Sequence, residues 1–395
     1  MGWLGLDDTD HLGGGCTTWT MHQLLSSLPP EVSVAGDPCL VRLYPMAKGR
    51  TRGNAALAVE LDVRLNPSAW KNWLEQYWEA HLATLAGQWT PSTHASRTQV
   101  PSDPGLVWFE SKPSPKFYRK AVTGEVGLGA VPEATWSAGG LGIIGATAAV
   151  AWPLDVSTWE GIAWRQGHDT PRRLDEGIMV RLDRDPRLVA CRDPRKGRSL
   201  LAPRGTSPVL FGLRGTDRSA VEQGVRDLVE AQGTEDVAAV CIFQTNQGSG
   251  DHLPPALEAT VEKISILRGG HVAVETSVGT WLAFAPSDEL RHLAAQLTAG
   301  DVVRGLGLVS QREGREGLHL EALNHVSGPL RNRLRPLCPT CDVRMKSAGR
   351  GQGLRCPSCT HREPDRWVGR PVKPSGWVQP PLDRRRHLAP DLGAR

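Results

Sequence analysis

The stretch that decides the fold is residues 1–20, MGWLGLDDTDHLGGGCTTWT. The apolar run at residues 3–6 predicts a short strand, which ends in a cluster of acids. Three glycines and a group of hydroxyl-bearing residues follow, and the next apolar positions predict a helix. Carboxylates at the C-terminal end of a strand lie where α/β sheets present ligands. This order of strand, acids, glycines and hydroxyls suits a phosphate site.

The acids and threonines of this stretch have the chemistry that a phosphate site requires. Asp7, Asp8 and Asp10 can together hold one Mg²⁺ ion beside a phosphate. Glycines let backbone N–H groups approach an anion closely, and Thr17 or Thr18 can cap the helix, whose N-terminus favours negative charge. An acidic turn followed by an ordinary glycine loop and a capped helix explains the same residues about equally well.

Length and charge bound the architecture and the partners. A chain of 395 residues has room for about two to four domains. A net charge of +4 and a pI near 8.7 permit a nucleic-acid partner without requiring one. The sequence shows no signal peptide and no apolar run of about 18 residues, so we expect a cytoplasmic protein without a membrane partner. The oligomeric state is left open.

Polar loops follow several of the predicted strands. The basic glycine turn at residues 48–54 could meet phosphate or RNA, and a solvated hairpin turn has equal weight. Arg214 and Asp217 straddle a second glycine turn, where a plain strand-to-helix turn is the somewhat better explanation. Residues 244–253 combine amides, hydroxyls, an acid and a histidine just beyond a strand, which favours a binding site.

Other segments predict core elements and connections. Apolar residues between positions 70 and 82 follow helical spacing and predict a core helix. Proline and serine mark residues 91–104 as a linker, and apolar runs at 178–182 and 188–191 predict strands. The tail after Arg370 is rich in proline and arginine, and we expect it to be disordered and to follow RNA phosphates.

The last third of the chain predicts two small modules. Residues 257–325 read as five short strands with one helix near 287–297, which suggests an OB-fold that binds oligonucleotides; an SH3-like barrel is the alternative. Two C-x2-C pairs then form the most specific local signal in the chain. Four thiolates at this spacing close a structural Zn²⁺ site, whereas oxidised pairs are uncommon in a cytosolic chain. The expected ligands are Cys338, Cys341, Cys356 and Cys359.

Several of these segments resemble one archaeal family, the isoleucine-tRNA 2-agmatinylcytidine synthetases (TiaS). The resemblance extends in the same order along nearly the whole chain, to about residue 363, and a zinc ribbon ends both. The matching segments are GLDDTD (5–10), GCTT (15–18), TRGNA (51–55), FY and AV within 117–122, GIIGATAA (142–149), PVLFGLRG (208–215), TNQGSGDH (245–252) and GGHV (269–272).

The resemblance implies an α+β multidomain protein with a kinase-like α/β domain, a ferredoxin-like domain, an OB-fold barrel and a C-terminal zinc ribbon. The expected boundaries are 1–102 with 182–253 for the discontinuous kinase-like domain, 103–181 for the ferredoxin-like domain, 255–328 for the OB-fold, 335–365 for the zinc ribbon and 366–395 for the basic tail.

The implied activity is that of an ATP-dependent tRNA-modifying ligase. ATP phosphorylates the C2 oxygen of the first anticodon cytidine of an isoleucine tRNA, the amine of agmatine displaces phosphate, and AMP and phosphate leave. The amide-like C2 oxygen is a poor leaving group that phosphorylation makes a good one, so positioning and charge stabilisation suffice for catalysis. The alternatives are a related RNA kinase or amine ligase with another amine or RNA, and a nonenzymatic OB-fold and zinc-ribbon nucleic-acid-binding protein.

The resemblance also implies roles for individual residues, with ATP, Mg²⁺ and structural Zn²⁺ as cofactors. Asp7, Asp8 and Asp10 are expected to hold Mg²⁺ and the phosphates, and Thr17 is the expected self-phosphorylated threonine. The residues expected to bind ATP or cytidine are Gly13, Gly14, Gly15, Thr18, Arg52, Asn54, Arg214 and Asp217. The candidates for contact with agmatine or nucleotide are Thr245, Asn246, Gln247, Asp251 and His252.

Overall fold

The structure is a computed structural model, and its chain divides into two units. It describes residues 1–11, 13–50, 53–90, 99–155, 157–167, 171–203, 205–312, 315–329, 331–366, 368–370 and 376–393. The first unit comprises Met1–Leu253 and Arg386–Asp391, and the second comprises Pro254–Arg385 and Leu392–Arg395.

The described elements alternate between strands and short helices in the first unit and are mostly strands in the second. The helices are α1 (Thr17–Ser26), α2 (Pro67–Tyr77), α3 (Pro115–Thr123), α4 (Gly142–Val150), α5 (Glu176–Leu182), α6 (Arg218–Val229) and α7 (Glu289–Gln296). The strands of the first unit are β1 (Gly2–Asp7), β2 (Val32–Val34), β3 (Cys39–Arg42), β4 (Ala55–Val63), β5 (Gly105–Phe109), β6 (Trp136–Gly139), β7 (Thr158–Arg165), β8 (Leu188–Val189), β9 (Val209–Gly215) and β10 (Val237–Thr245). Those of the second are β11 (Leu257–Ile266), β12 (Val272–Thr276), β13 (Gly279–Ala283), β14 (Val302–Arg312), β15 (Arg315–Ser327), β16 (Arg331–Leu334), β17 (Lys346–Ser347), β18 (Leu354–Arg355), β19 (Arg362–Glu363), β20 (Val368–Arg370) and β21 (Trp377–Val378).

A ten-stranded sheet organises the first unit. Its strands follow the order β6-β5-β1-β4-β3-β10-β7-β9-β8, and β2 pairs with β4. Neighbouring strands run antiparallel except β3 and β10, which are parallel. The predicted N-terminal strand therefore lies inside the sheet, between β4 and β5, and delivers Asp7 to its end.

Alternating side chains of the sheet build a core on each face. Leu57 and Leu61 of β4 are buried in the core that includes residues of α1 and α2, whereas Ala58 is buried in the core formed with α3 and α4. Close approach on this second face needs small residues, because a Cβ on Gly5 would lie 2.5 Å from the backbone oxygen of Ala146. The helix that contains Ala146 is α4, which is rich in small residues and packs against β1.

The second unit contains the predicted barrel and ribbon. β11, β12, β13, β15 and β14 form a closed ring, in which β13 and β15 pair in parallel and the other neighbours pair antiparallel. α7 packs against this barrel, with Leu290 and Ala294 in its core. The prediction of a five-stranded barrel with one helix is confirmed. β17, β18 and β19 form a separate three-stranded sheet around the cysteines.

Three local predictions are wrong. The run 178–182 is part of helix α5 rather than a strand, and Asp175 caps this helix by accepting a hydrogen bond from the Ile178 N–H at 2.9 Å. Thr17 and Thr18 do not cap α1: the N-cap residue is Cys16, whose side chain makes no capping hydrogen bond to the helix backbone. The tail is ordered over its described residues 376–393, which include β21 paired with β15.

Two further expectations concern the domain boundaries and the linker, and both stay predictions. The proposed domain boundaries stay a prediction, and most of the expected linker, residues 91–98, lies outside the described residues. None of the described helices has the length and hydropathy that a membrane crossing requires.

Candidate active site

A cavity of about 610 Å³ lies in the first unit, where β1 ends and α1 and α4 begin. It brings together seven residues that the sequence predicts for the site: Asp7, Asp8, Asp10, Thr17, Thr18, Asn54 and Arg214. Their positions in the chain span more than 200 residues, so the shared sheet is what assembles them. The cavity has an acidic side, a basic side and an available hydroxyl at the start of α1.

The acidic side is built from the loop that follows β1. Asp7 accepts a hydrogen bond from the Asp8 N–H at 2.8 Å, and Asp8 accepts one from the Asp103 N–H at 3.0 Å. Burial, together with the charge of Asp8, raises the pKa of Asp7 well above its ordinary value. Burial, together with the charge of Asp10, raises the pKa of Asp8 to about 7. These carboxylates destabilise one another when ionised, and a bound cation would relieve that repulsion.

Helix α4 packs against the acids through glycines. A Cβ on Gly142 would lie 2.7 Å from the Asp7 carbonyl oxygen, and a Cβ on Gly145 would overlap the Asp7 carboxylate. Asp103 fixes the start of this helix, because it accepts hydrogen bonds from the Leu141 N–H at 2.7 Å and, through its carbonyl, from the Gly142 N–H at 2.8 Å. The position of Asp7 therefore depends on these small residues.

Thr17 and Thr18 begin α1 and differ in their partners. The Thr18 hydroxyl accepts a hydrogen bond from the Trp164 indole N–H at 3.3 Å and lies 2.9 Å from the Cys16 Sγ. Within the described parts of the chain, the Thr17 hydroxyl makes no side-chain hydrogen bond, and Thr17 lines the cavity. Thr17 is thus the threonine whose hydroxyl is available to a ligand.

The basic side consists of two arginines that share one glutamate. The Arg42 guanidinium lies 3.5 Å from one carboxylate oxygen of Glu160, and the Arg214 Nε lies 3.4 Å from the other. Glu160 is only 5% exposed. Burial lowers the pKa of Arg42, although the neighbouring Glu160 favours its charged form. Two cations against one anion leave this side with an excess of positive charge, which suits phosphate oxygens.

A histidine from far along the chain completes this side. The Nδ1 of His387 lies 3.0 Å from the side-chain oxygen of Gln247, whose amide nitrogen donates to Glu160. The charge of Arg42 lowers the pKa of His387 well below its usual value. No sequence pattern predicted Arg42, Glu160 or His387 as residues of the site. A lone acid within the apolar strand at 158–165 was a signal for Glu160.

The predicted basic glycine turn also contributes to the cavity. Lys48, Arg50 and Asn54 line it, and Asn54 donates a hydrogen bond to the Tyr44 carbonyl at 2.8 Å. Arg52, a predicted contact for ATP or cytidine, lies outside the described residues.

Four other predicted residues do not line the cavity. Gly13, Gly14 and Gly15 belong to the turn that carries the acids to α1, and Gly15 has a φ of 74° in the left-handed region that favours glycine. Asp217 caps α6, since its carboxylate accepts a hydrogen bond from the Ala220 N–H at 2.8 Å. This contact of Asp217 fits the plain strand-to-helix turn, which was the alternative to a phosphate site.

The loop at 245–252 lies behind the cavity wall, and its side chains bind other parts of the protein. Asn246 exchanges two hydrogen bonds with the Arg42 backbone, at 2.7 and 2.9 Å. Asp251 accepts a hydrogen bond from the Tyr118 hydroxyl at 2.5 Å. Thr245 and His252 are buried and also do not line the cavity. Of this loop, Gln247 comes nearest to the site, through Glu160 and His387.

The four C-terminal cysteines converge as the spacing predicts. The Sγ atoms of Cys338, Cys341, Cys356 and Cys359 all lie within 4.8 Å of one another. Backbone N–H groups of Ser358 and His361 point at two of the sulfurs, at 3.3 and 3.5 Å. Such N–H contacts stabilise thiolate charge, and the four-sulfur geometry fits a closed tetrahedral Zn²⁺ site.

Comparisons with known proteins agree with this arrangement. Three family models match: the TiaS TCKD domain over residues 3–69, the TiaS FLD domain over residues 140–252 and the TiaS C-terminal zinc ribbon domain over residues 335–368. The isoleucine-tRNA 2-agmatinylcytidine synthetase TiaS of Methanosarcina mazei is 31% identical over 98% of this chain and 96% of its own length. The corresponding protein of Pyrococcus horikoshii is 29% identical, with 98% and 96% covered.

Two solved complexes of TiaS with its isoleucine tRNA have a similar fold over nearly the whole chain. The complex that also contains ATP has a TM-score of 0.74 at 27% identity, covering 98% of this chain and 96% of the other. The complex that also contains AMPCPP and agmatine has a TM-score of 0.73 at 26% identity, covering 100% and 97%.

Proposed function

The chain belongs to the TiaS family, and on that premise we propose that it is an ATP-dependent ligase that forms 2-agmatinylcytidine in an isoleucine tRNA. Its substrates are then ATP, agmatine and the tRNA that names the family's reaction. Because a tRNA is the substrate, we assign the protein to the cytoplasm. Zn²⁺ is its structural cofactor, held by the four-cysteine cluster.

The observation that carries this proposal is that one cavity is lined both by a cluster of acids and by a pair of arginines. Asp7, Asp8 and Asp10 lie on the acidic side, and Arg42 and Arg214 supply the excess positive charge of the basic side. A metal-bound triphosphate matches both groups of side chains. Its cation can bind the carboxylates, and its anionic oxygens can bind the guanidinium groups.

We infer that Mg²⁺ is the cation. The three acids offer hard oxygen ligands, and burial together with the neighbouring acids raises the pKa of Asp7 and of Asp8, so a cation beside them would stabilise their ionised forms. When held there by Asp7, Asp8 and Asp10, Mg²⁺ would supply positive charge that neutralises the charge developing during phosphoryl transfer.

Chain residues then have distinct roles in the reaction. The arginines on either side of Glu160 stabilise charge on the transferred phosphoryl group, and the acids orient the triphosphate. Thr17 is the proposed site of self-phosphorylation, because its hydroxyl lines the cavity and is not used by a neighbour as that of Thr18 is. Phosphorylation of the cytidine C2 oxygen gives agmatine's amine a leaving group that it can displace.

An agmatine-incorporation assay tests this function. Full-length protein is incubated with ATP, Mg²⁺, labelled agmatine and a transcript of the isoleucine tRNA that has cytidine at the first anticodon position, and the nucleosides are analysed by mass spectrometry. We expect 2-agmatinylcytidine at that position. A matched transcript with uridine there should take up no label.

Two other results would change the assignment. Incorporation of putrescine but never of agmatine would indicate a related amine ligase. ATP turnover that stays at background in the wild type, together with intact RNA binding, would leave a nonenzymatic RNA-binding protein. Asp8→Asn is the matched active-site variant: it should abolish ATP turnover while the tRNA dissociation constant stays within about twofold.

A further inference from the structure

The segment 386–391 belongs to the first unit although it comes late in the chain. The loop after β10 holds it by its backbone: the Gly248 N–H donates to the His387 carbonyl at 2.9 Å, and the Gly250 N–H donates to the Leu388 carbonyl at 2.8 Å. Leu388 is 2% exposed and packs in the core shared with α3 and α4. The segment therefore has a defined position, and that position places His387 in the cavity wall.

The chemistry of the side chains determines which group is the donor in each hydrogen bond that links His387, Gln247 and Glu160. The Glu160 carboxylate only accepts, so the Gln247 amide nitrogen must face it as donor and the amide oxygen must face His387. An amide oxygen also only accepts. The His387 ring must therefore carry a proton on Nδ1 and donate it to Gln247.

This chain of hydrogen bonds ends between the two arginines. Glu160 meets Arg42 with one oxygen and Arg214 with the other, at 3.5 and 3.4 Å. The amide of Gln247 donates to the same oxygen that faces Arg42. If Gln247 were to rotate, Glu160 would lose a donor, and its contacts with both guanidinium groups would change.

We propose that His387 is a positioning residue of the active site. By fixing the orientation of Gln247, it holds Glu160 in place and so keeps Arg42 and Arg214 at the spacing that binds the phosphates of ATP. This inference rests on the proposed function for the identity of the ligand. It assigns to the segment 386–391 a part in ATP binding that the loop 245–252 alone does not supply.

Substitutions at position 387 test the role of the Nδ1–H group. In the full-length protein, His387→Ala should lower kcat/KM for ATP by about 10- to 100-fold, since small displacements of positioning groups have effects of this size. His387→Asn places an amide N–H near the position of Nδ1 and should restore most of the activity. His387→Phe fills the space without a donor and should stay as impaired as His387→Ala. His292→Ala, at an exposed position on α7, is the control.

A double-mutant cycle separates positioning from packing. If His387 acts through Gln247, the double variant His387→Ala/Gln247→Ala should be no more impaired than either single variant. All variants should keep the wild-type tRNA dissociation constant within about twofold, with melting temperatures close to that of the control. Equal activity of the Asn and Phe variants, additive losses in the cycle, or an unchanged kcat/KM in His387→Ala would each overturn the proposal.

A binding measurement distinguishes failure of this inference from failure of the proposed function. Calorimetric titration with Mg²⁺–ATP uses neither tRNA nor agmatine, and His387→Ala should weaken the affinity at least about fivefold. A wild type that incorporates no agmatine, but whose ATP affinity depends on His387 in this way, would contradict the function and support the positioning role. Equal ATP affinity in wild type and His387→Ala would refute the positioning role, regardless of which amine the protein incorporates into tRNA.

Discussion

The two threonines at the start of α1 share an environment and differ in one respect, the engagement of the hydroxyl. Thr18 is held by Trp164 and Cys16, and Thr17 is not held in this way. Thr17→Ala should therefore remove the label that the protein acquires from γ-labelled ATP, whereas Thr18→Ala should keep it and lose some stability instead. Phosphopeptide mass spectrometry measures the label. Persistent labelling of Thr17→Ala would assign the modification to another residue.

The acids at the end of β1 predict a pH-dependent response to Mg²⁺. In the folded protein the pKa of Asp8 rises from its ordinary value of 3.8 to about 7. Between these values the folded state binds more protons than the unfolded state, so the stability contributed by this group falls as the pH rises from about 4 to about 7. A cation that binds the ionised carboxylates should offset that loss, and Mg²⁺ should raise the melting temperature more at about pH 8 than at about pH 5.

Thermal melting with and without Mg²⁺ at the two pH values checks this prediction. Asp8→Asn removes the charge at that position, so the extra effect of Mg²⁺ at the higher pH should shrink in this variant. An equal shift at both pH values in the wild type would argue against binding by carboxylates of raised pKa.

At the scale of elements, the contact between α4 and β1 controls the acidic side of the cavity. Gly145→Ala introduces a Cβ into the space of the Asp7 carboxylate. Overpacking of this kind costs about 1–3 kcal/mol, and we expect a lower melting temperature together with at least a tenfold loss of ATP turnover. Gly129→Ala, where a Cβ would meet nothing within 4 Å, is the matched control. Normal turnover in Gly145→Ala would show that Asp7 can move without cost.

The sequence predicted local arrangements of helices and strands better than contacts between distant segments. The sequence could predict that the N-terminal acids and Thr17 lie near one another, because their arrangement is local: a strand, a turn and a helix in twenty residues. Glu160 and His387 depend on strand pairing and on a distant segment, which no local pattern records. The five-residue run 178–182 was too short to separate helical from strand periodicity, and Asp175 three residues before it was the helix signal that was overlooked.

At the scale of the whole molecule, the zinc ribbon and the ATP cavity should respond separately to substitution. Cys356→Ser removes one of four ligands and should release the zinc, measurable by elemental analysis, because the described cluster has no spare protein ligand. We expect tRNA binding to weaken and ATP affinity to stay within about twofold. Cys241→Ser, a cysteine of β10 outside the cluster, should keep one zinc per chain. Full zinc content in Cys356→Ser would refute the four-cysteine site.

The late position of His387 has a consequence for the protein during its own synthesis. A ribosome makes residue 7 and residue 42 long before residue 387, and domains begin to fold as they emerge. The ten-stranded sheet can assemble once β10 has been made, yet the wall of the cavity lacks the imidazole until residue 387 follows, after the barrel and the ribbon. With the positioning role proposed for His387, a nascent chain should bind ATP more weakly until that residue has been made.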